Sequence, residues 1–183
     1  IAEGFDVAAF LAHGPRLQMH DISVDADPVA SSDESVWGTE DALALAFTRR
    51  YHRDWRYVAT WGRWLVWDGN RWRTEDTLAA TDLIRSVCRH AAVRAENPKV
   101  AAKLASASTV GGVERLSRAD RRHAATTEEW DADPWLLNTP GGVVDLKSGR
   151  QRPHDRADRM TKITTATPAG DCPIWRQFLD EVT

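Results

Sequence analysis

Hydrophobic positions recur along the chain with two different periods, and the switches between them mark its elements. Near the start, Phe5, Val7, Ala8, Phe10 and Leu11 form a short amphipathic pattern that His13-Gly14-Pro15 stops. From Met19 to Ser35 the sequence is acidic and rich in Asp, Ser and Pro, with too little apolar surface to order itself, which predicts a linker. Thr39 is a good N-cap, Glu40 and Asp41 suit the positive end of a helix dipole, and Ala42, Leu43, Ala46 and Phe47 recur at helical spacing. A helix is expected from about 40 to 52. The texture then turns aromatic and β-branched: Trp55 to Thr60, Arg63 to Trp67, the turn Asp68-Gly69-Asn70, then Arg71-Trp72-Arg73. Such runs, bounded by Gly turns, predict a three-stranded meander.

Helical periodicity returns from Glu75 to about Glu96, where Leu78, Leu83, Ile84, Val87, Cys88 and Ala91 make the apolar stripe and Arg85, Arg89 and Arg94 lie elsewhere. Pro98 after Asn97 opens a second helix as an N1 residue, continued by Val100, Ala101 and Leu104. Gly111-Gly112 is expected to separate it from a third, Val113 to Ala125. Beyond Trp130 the pattern is strand-like. Trp135-Leu136-Leu137, a Pro140-Gly141-Gly142 turn and Val143 to Leu146 predict a β-hairpin, with Lys147-Ser148-Gly149 as a second turn. A further strand is expected at Thr161 to Thr165, and a last helix from Pro173 through Trp175, Phe178 and Leu179. The fold class is therefore α+β, a mostly helical domain with a small antiparallel meander and a hairpin that packs back on the helices.

Composition narrows the class. The 183 residues are 42% hydrophobic and 28% charged, with mean hydropathy −0.48, which excludes a disordered tail. No apolar run approaches the roughly 18 to 20 residues of a spanning helix. Cys88 and Cys172 lack CxxC spacing and argue weakly for a disulfide, so a reducing cytoplasm is expected. The net charge of −3 conceals an asymmetry: residues 1 to 41 carry one cation against nine anions, residues 42 to 122 sixteen against eight, and residues 123 to 183 seven against ten. An anionic partner is to be sought in the middle.

Two features there could meet nucleic acid. Trp55, Trp61, Trp64, Trp67 and Trp72, interleaved with Arg56, Arg63, Arg71 and Arg73, could form a platform on which bases stack. The alternative is a core: in a strand Trp64 and Val66 share one face, Leu65 and Trp67 the other, and a small sheet must bury at least one face. One or two rings exposed beside an arginine would keep stacking open. The helical stretch carries nine cations, Arg85, Arg89, Arg94, Lys99, Lys103, Arg115, Arg118, Arg121 and Arg122, against Asp82, Glu96, Glu114 and Asp120. Converging on one surface they would contact phosphates; otherwise they are a solvated exterior.

Other motifs only mimic chemistry. Gly141 to Ser148 has the first Gly and the Lys-Ser of a P-loop, but Leu146 stands where the second Gly belongs and blocks the close approach of a phosphate. Asp25-Ala26-Asp27 and Asp131-Ala132-Asp133 resemble metal-holding DxD pairs, and His20-Asp21 and His154-Asp155 resemble those of metal phosphohydrolases, all in loop-like sequence without companion ligands. No catalytic residue, metal ligand or cofactor is assigned.

The run Trp64-Leu65-Val66-Trp67-Asp68-Gly69-Asn70-Arg71-Trp72 resembles the opening of the poxvirus-primase-like N-terminal domain of phage and plasmid primase-helicases. Asp133 to Gly149, Pro153-His154-Asp155, Thr161-Lys162 and Cys172-Pro173-Ile174-Trp175 with Phe178-Leu179 are similar, in order and spacing, to the junction preceding a superfamily 3 helicase core. The resemblance covers roughly residues 39 to 183 and implies part of a replication protein, with residues 1–18 as the tail of an upstream primase-type region, 19–36 as the acidic linker and 37–183 as a helicase-associated domain leading into a helicase. It transfers no catalytic residue.

On this reading the chain is a noncatalytic domain that binds or guides single-stranded or forked DNA beside the helicase ring through Arg85, Arg89, Lys99, Lys103, Arg115, Arg118, Arg121 and Arg122, with Arg63, Arg71 and Arg73. The helicase and primase domains of the same chain, and further copies in the full-length protein, are the expected partners, with no membrane. The alternative is an oligomerisation or interdomain collar that binds protein.

Overall fold

The structure is a computed structural model that describes residues 38–168, 170 and 172–182. The Phe5 to Leu11 pattern, the acidic linker, His20-Asp21 and Asp25-Ala26-Asp27 lie outside the described residues. Among the described residues the fold is α+β, built from five helices and two small sheets.

The first helix, α1 (Glu40–Tyr51), starts where predicted, with the Thr39 hydroxyl accepting from the Ala42 N–H at 3.2 Å. The meander follows as β1 (Trp55–Val58), β2 (Arg63–Trp67) and β3 (Trp72–Thr74). It gains a fourth strand, β4 (Ala124–Ala125), parallel to β1, giving the order β3-β2-β1-β4. Between β3 and β4 lie α2 (Ala79–Arg94), α3 (Pro98–Leu104), with Asn97 as its N-cap, and α4 (Ala107–Ala119).

Each sheet face is buried against something different. Trp55 and Trp64 join Leu43, Phe47, Ile84, Cys88 and Val113 in a core between sheet and helices. Leu65 and Trp72 face the other way, with Val58, Ala125 and Trp130. The alternation expected of Trp64 and Leu65 therefore holds, and both faces are core. Trp61, 42% exposed in the β1–β2 turn, is the member of the tryptophan run left in solvent, with exposed Arg63 two residues on.

Three boundaries differ from the sequence reading. Leu78 adopts a left-handed conformation (φ 62°) and is 74% exposed, so it is not part of the α2 stripe. The Glu75 carboxylate accepts from the Thr77 N–H at 2.6 Å, closing a turn that delays the helix to Ala79. Gly111-Gly112 does not separate helices but lies inside α4, which begins at Ala107 because the Ser106 hydroxyl caps the Thr109 N–H. Gly112 is buried where the Glu40 side chain of α1 crosses, so a Cβ there would displace that exposed carboxylate. That helix ends at Ala119 rather than Ala125, since Asp120 turns extended and releases residues 124 and 125 to β4.

The second sheet is the predicted hairpin, β5 (Leu136–Thr139) and β6 (Gly142–Asp145), extended by β7 (Gln151–Arg152). Its hydrogen bonds run to the meander rather than to the helices, the Asn138 amide donating to the Asn70 carbonyl at 3.0 Å. Thr161 to Thr165 is not a strand. It is extended chain held by Asn138, which donates to the Lys162 carbonyl and accepts from the Thr164 N–H at its own carbonyl, and by Asp131, which accepts from the Thr161 N–H at 2.8 Å. The last helix, α5, spans Pro173–Val182.

Gly142 shows how tightly this sheet is drawn. Its φ of +137° suits glycine, and a Cβ there would overlap the Arg152 carbonyl oxygen of β7. Gly142→Ala is expected to cost about 1–3 kcal/mol in urea unfolding. Gly149→Ala, at φ +70° with open space around it, should cost less. Equal losses at both positions would show that the close approach of β7 does not matter.

Candidate nucleic-acid interface

The structure sorts the candidate cations by what holds them. Arg118 on α4 is half-buried, pairs with Glu114 one turn back, and lays its guanidinium 5.2 Å from the centre of the Tyr57 ring on β1. Its charge fastens α4 to the sheet. Arg122 makes a two-point pair with Asp120, at 2.8 and 3.1 Å, and this holds the Asp120 carboxyl down to about 2. Arg71 lies 3.8 Å from Asp68 and donates to the Thr161 carbonyl, bracing the β2–β3 turn. Arg85 lies 3.5 Å from Asp82 with both side chains well exposed, so that pair holds little.

The remaining candidates stand differently. Arg63, Arg73, Arg89, Lys99, Lys103, Arg115 and Arg121 are all exposed, and none forms a salt bridge among the described residues. Arg89 lies one turn from Arg85 on the outer face of α2, Lys99 and Lys103 are one turn apart on α3, and Arg115 and Arg121 lie on and just after α4. Arg63 and Arg73 occupy the sheet, Arg73 on its edge strand β3.

A second group of arginines, on the other face of the sheet, is structural. Arg56 and Arg159 lie 5.2 and 5.7 Å from the Trp72 ring centre, and Arg159 also lies 5.4 Å from that of Trp130. Burial, reinforced by the neighbouring Arg159 charge, lowers Arg56 to about 10. Arg156 pairs with Asp54 at 2.6 Å and stacks over Trp67. Of the tryptophans that could have stacked bases, Trp67 and Trp72 are here covered by the protein's own guanidinium groups, and Trp55 and Trp64 are buried in the helix–sheet core.

The catalytic mimics have structural work. Asp131 accepts from the Thr161 N–H and hydroxyl. His154 donates to the Thr139 carbonyl at 2.8 Å, and Asp155 caps a short 3-10 turn, Arg156–Asp158. Lys147 and Ser148 sit in the turn after β6, where Lys147 covers Trp135, and not at a helix N-terminus as a P-loop requires. No group of three metal-ligating side chains occurs among the described residues.

Sequence reasoning missed a cleft of about 840 Å³ where α1, α2 and α3 meet. Arg50, His90 and Arg94 line it together with apolar side chains. Each lies in the last turns of its helix, and only the packing of α1 on α2 brings them to one opening. No helix among the described residues is long and apolar enough to cross a membrane, and no disulfide joins Cys88 to Cys172.

Residues 44–183 match the family described as D5 N terminal like. No curated protein matches the chain.

Proposed function

The chain belongs to the D5 N terminal like family, the N-terminal domain of D5-like primase-helicases, and on that footing we propose that it is a noncatalytic DNA-handling domain acting in replication, guiding a strand toward the helicase. The observation that carries this reading is the set of exposed cations without a salt-bridge partner among the described residues, Arg89, Lys99, Lys103, Arg115 and Arg121 on the helical half, with Arg63 and Arg73 on the sheet. Cations that pair within the fold spend their charge there, whereas these are left to an external anion. Trp61 beside Arg63 adds one exposed ring for stacking.

The test is anisotropy of the purified chain on labelled single-stranded and duplex DNA across a salt series. Affinity should fall steeply as salt rises. Arg89→Ala, Arg115→Ala and Arg121→Ala combined should lower the slope of log K against log salt by about 2 on single strands, at roughly 0.7 per phosphate contact. Because the three side chains are exposed and outside the salt bridges of the described residues, the melting temperature should not move. No binding at low salt, together with a solution mass above that of a monomer, would turn the reading to a protein-binding collar. The exposed apolar residues Ile174 and Val182 of α5 favour that alternative.

A further inference from the structure

The cleft between α1, α2 and α3 has two chemically distinct parts. Its floor is apolar, formed by Leu43, Val87, Ala91 and Leu104, and is continuous with the helix–sheet core. Its mouth is cationic. Arg50 ends α1 with its guanidinium 5.5 Å from the centre of the Tyr51 ring, and His90 and Arg94 stand on the last turns of α2. Arg50 and Arg94 are exposed and form no salt bridge among the described residues, and Glu96 is the one carboxylate among the lining side chains.

Such a site selects a ligand with a flat apolar body and negative charge on either side of it. A volume of about 840 Å³ exceeds that of a nucleobase with its sugar and lies within the range of small-molecule sites. The half-buried Tyr51, tilted against Phe47 at 5.0 Å, adds a further apolar wall residue and holds the Arg50 guanidinium at the mouth. The two guanidinium groups, neither in a salt bridge among the described residues, sit on different helices, so each can take one of the phosphates that flank a single nucleotide. An apolar pocket without this charge would suit any hydrophobic side chain, and a basic patch without the pocket would suit any polyanion.

We propose that this cleft receives one unstacked base of single-stranded DNA, with Arg50 and Arg94 holding the adjoining phosphates. The inference rests on the reading of the chain as a DNA-handling domain and adds to it a base-dependent grip, separate from the outward cations of α2 to α4. A duplex keeps its bases stacked and cannot use the cleft.

The probes are an oligothymidylate and an abasic oligomer of equal length and charge, measured by anisotropy at fixed salt. The wild-type chain should hold oligothymidylate about tenfold tighter than the abasic strand, the size expected for one stacked base. Val100→Trp, at a wall residue already 40% exposed, should fill the cleft and abolish that preference with phosphate-driven binding intact. Arg50→Ala with Arg94→Ala, both surface changes, should weaken oligothymidylate binding more than abasic binding, and serves if Val100→Trp fails to fold. Equal affinity of the wild type for the two strands overturns the cleft proposal and leaves the phosphate surface standing. Wild-type preference unchanged in both variants overturns it as well, and an absence of any DNA binding removes both readings together.

Discussion

Trp72→Ala should remove about 3–5 kcal/mol of stability, the cost of deleting a fully buried indole, enough to unfold much of a marginal domain. Trp72 has no exposure, its indole N–H donates to the Arg156 carbonyl at 3.0 Å, and its backbone N–H donates to the Met160 carbonyl at 2.8 Å. Its ring packs between Trp67 and Trp130, at 5.8 and 5.6 Å, and lies against the guanidinium groups of both Arg56 and Arg159. Alanine would leave a cavity and bring two like charges together without the π-face they share. Trp72→Phe keeps a ring and loses the indole hydrogen bond, so it should cost less. Trp61→Ala, at a ring 42% exposed, should fall within about 1 kcal/mol of wild type. The order is read from urea unfolding followed by circular dichroism, and a Trp72→Ala loss below about 1 kcal/mol would show that the second core is not what holds the sheet to residues 126–160.

Side-chain direction was legible where one short-range rule governs each residue, although the pattern required only one buried sheet face and the structure buries both. The period of two in Arg63 to Trp67 placed Trp64 and Leu65 on opposite faces, and the caps at Thr39 and Asn97 placed α1 and α3. The misreadings have two sources, local turns and caps that periodicity passed over, as at Glu75–Thr77 and Ser106, and packing that outweighed local preference. Gly111-Gly112 reads as a break, yet both glycines lie inside α4, where Gly112 is buried at the packing of α4 on α1. Ala124-Ala125 has no strand signature of its own and becomes β4 because β1 offers it an edge. The candidate interface divides in the same way. Composition could find Arg118 and Arg122 beside Arg115 and Arg121, but not that Tyr57 and Asp120 take up the first two charges. The cleft was hidden for a related reason. Arg50 and Arg94 are 44 positions apart, and only the antiparallel or parallel sense and register of helix packing, which periodicity does not encode, brings them together.

His123 gives the domain an acid limit well above the carboxylate range. The ring is fully buried, 5.4 Å from Phe47 and 5.2 Å from Trp64 between ring centres, with Nδ1–H donating to the Trp55 carbonyl at 3.0 Å. Its Nε2 is buried without a hydrogen-bond partner among the described residues, so protonation there would place a charged donor among aromatic carbons. Burial accordingly lowers its pKa to about 4, a fall that the Trp55 carbonyl and Asp120 only partly oppose. The unfolded chain protonates this histidine near 6.5. Above that pH neither state holds the proton and the group contributes nothing to the pH dependence. Between about 6.5 and 4 the unfolded state takes up the proton and the native state does not, so stability falls with falling pH at up to about 1.4 kcal/mol per unit. The loss is of order 3 kcal/mol by pH 4 and then stops growing, whereas Asp120, lowered to about 2 chiefly by its bond from Arg122, adds its own loss only between its ordinary value and 2. Urea unfolding at half-unit steps from pH 7.5 to 4 should therefore show a slope in wild type that His123→Gln largely removes, even though the variant starts less stable at pH 7.5. A slope of the same size in the variant would assign the acid sensitivity to other groups and leave His123 as a packing residue only.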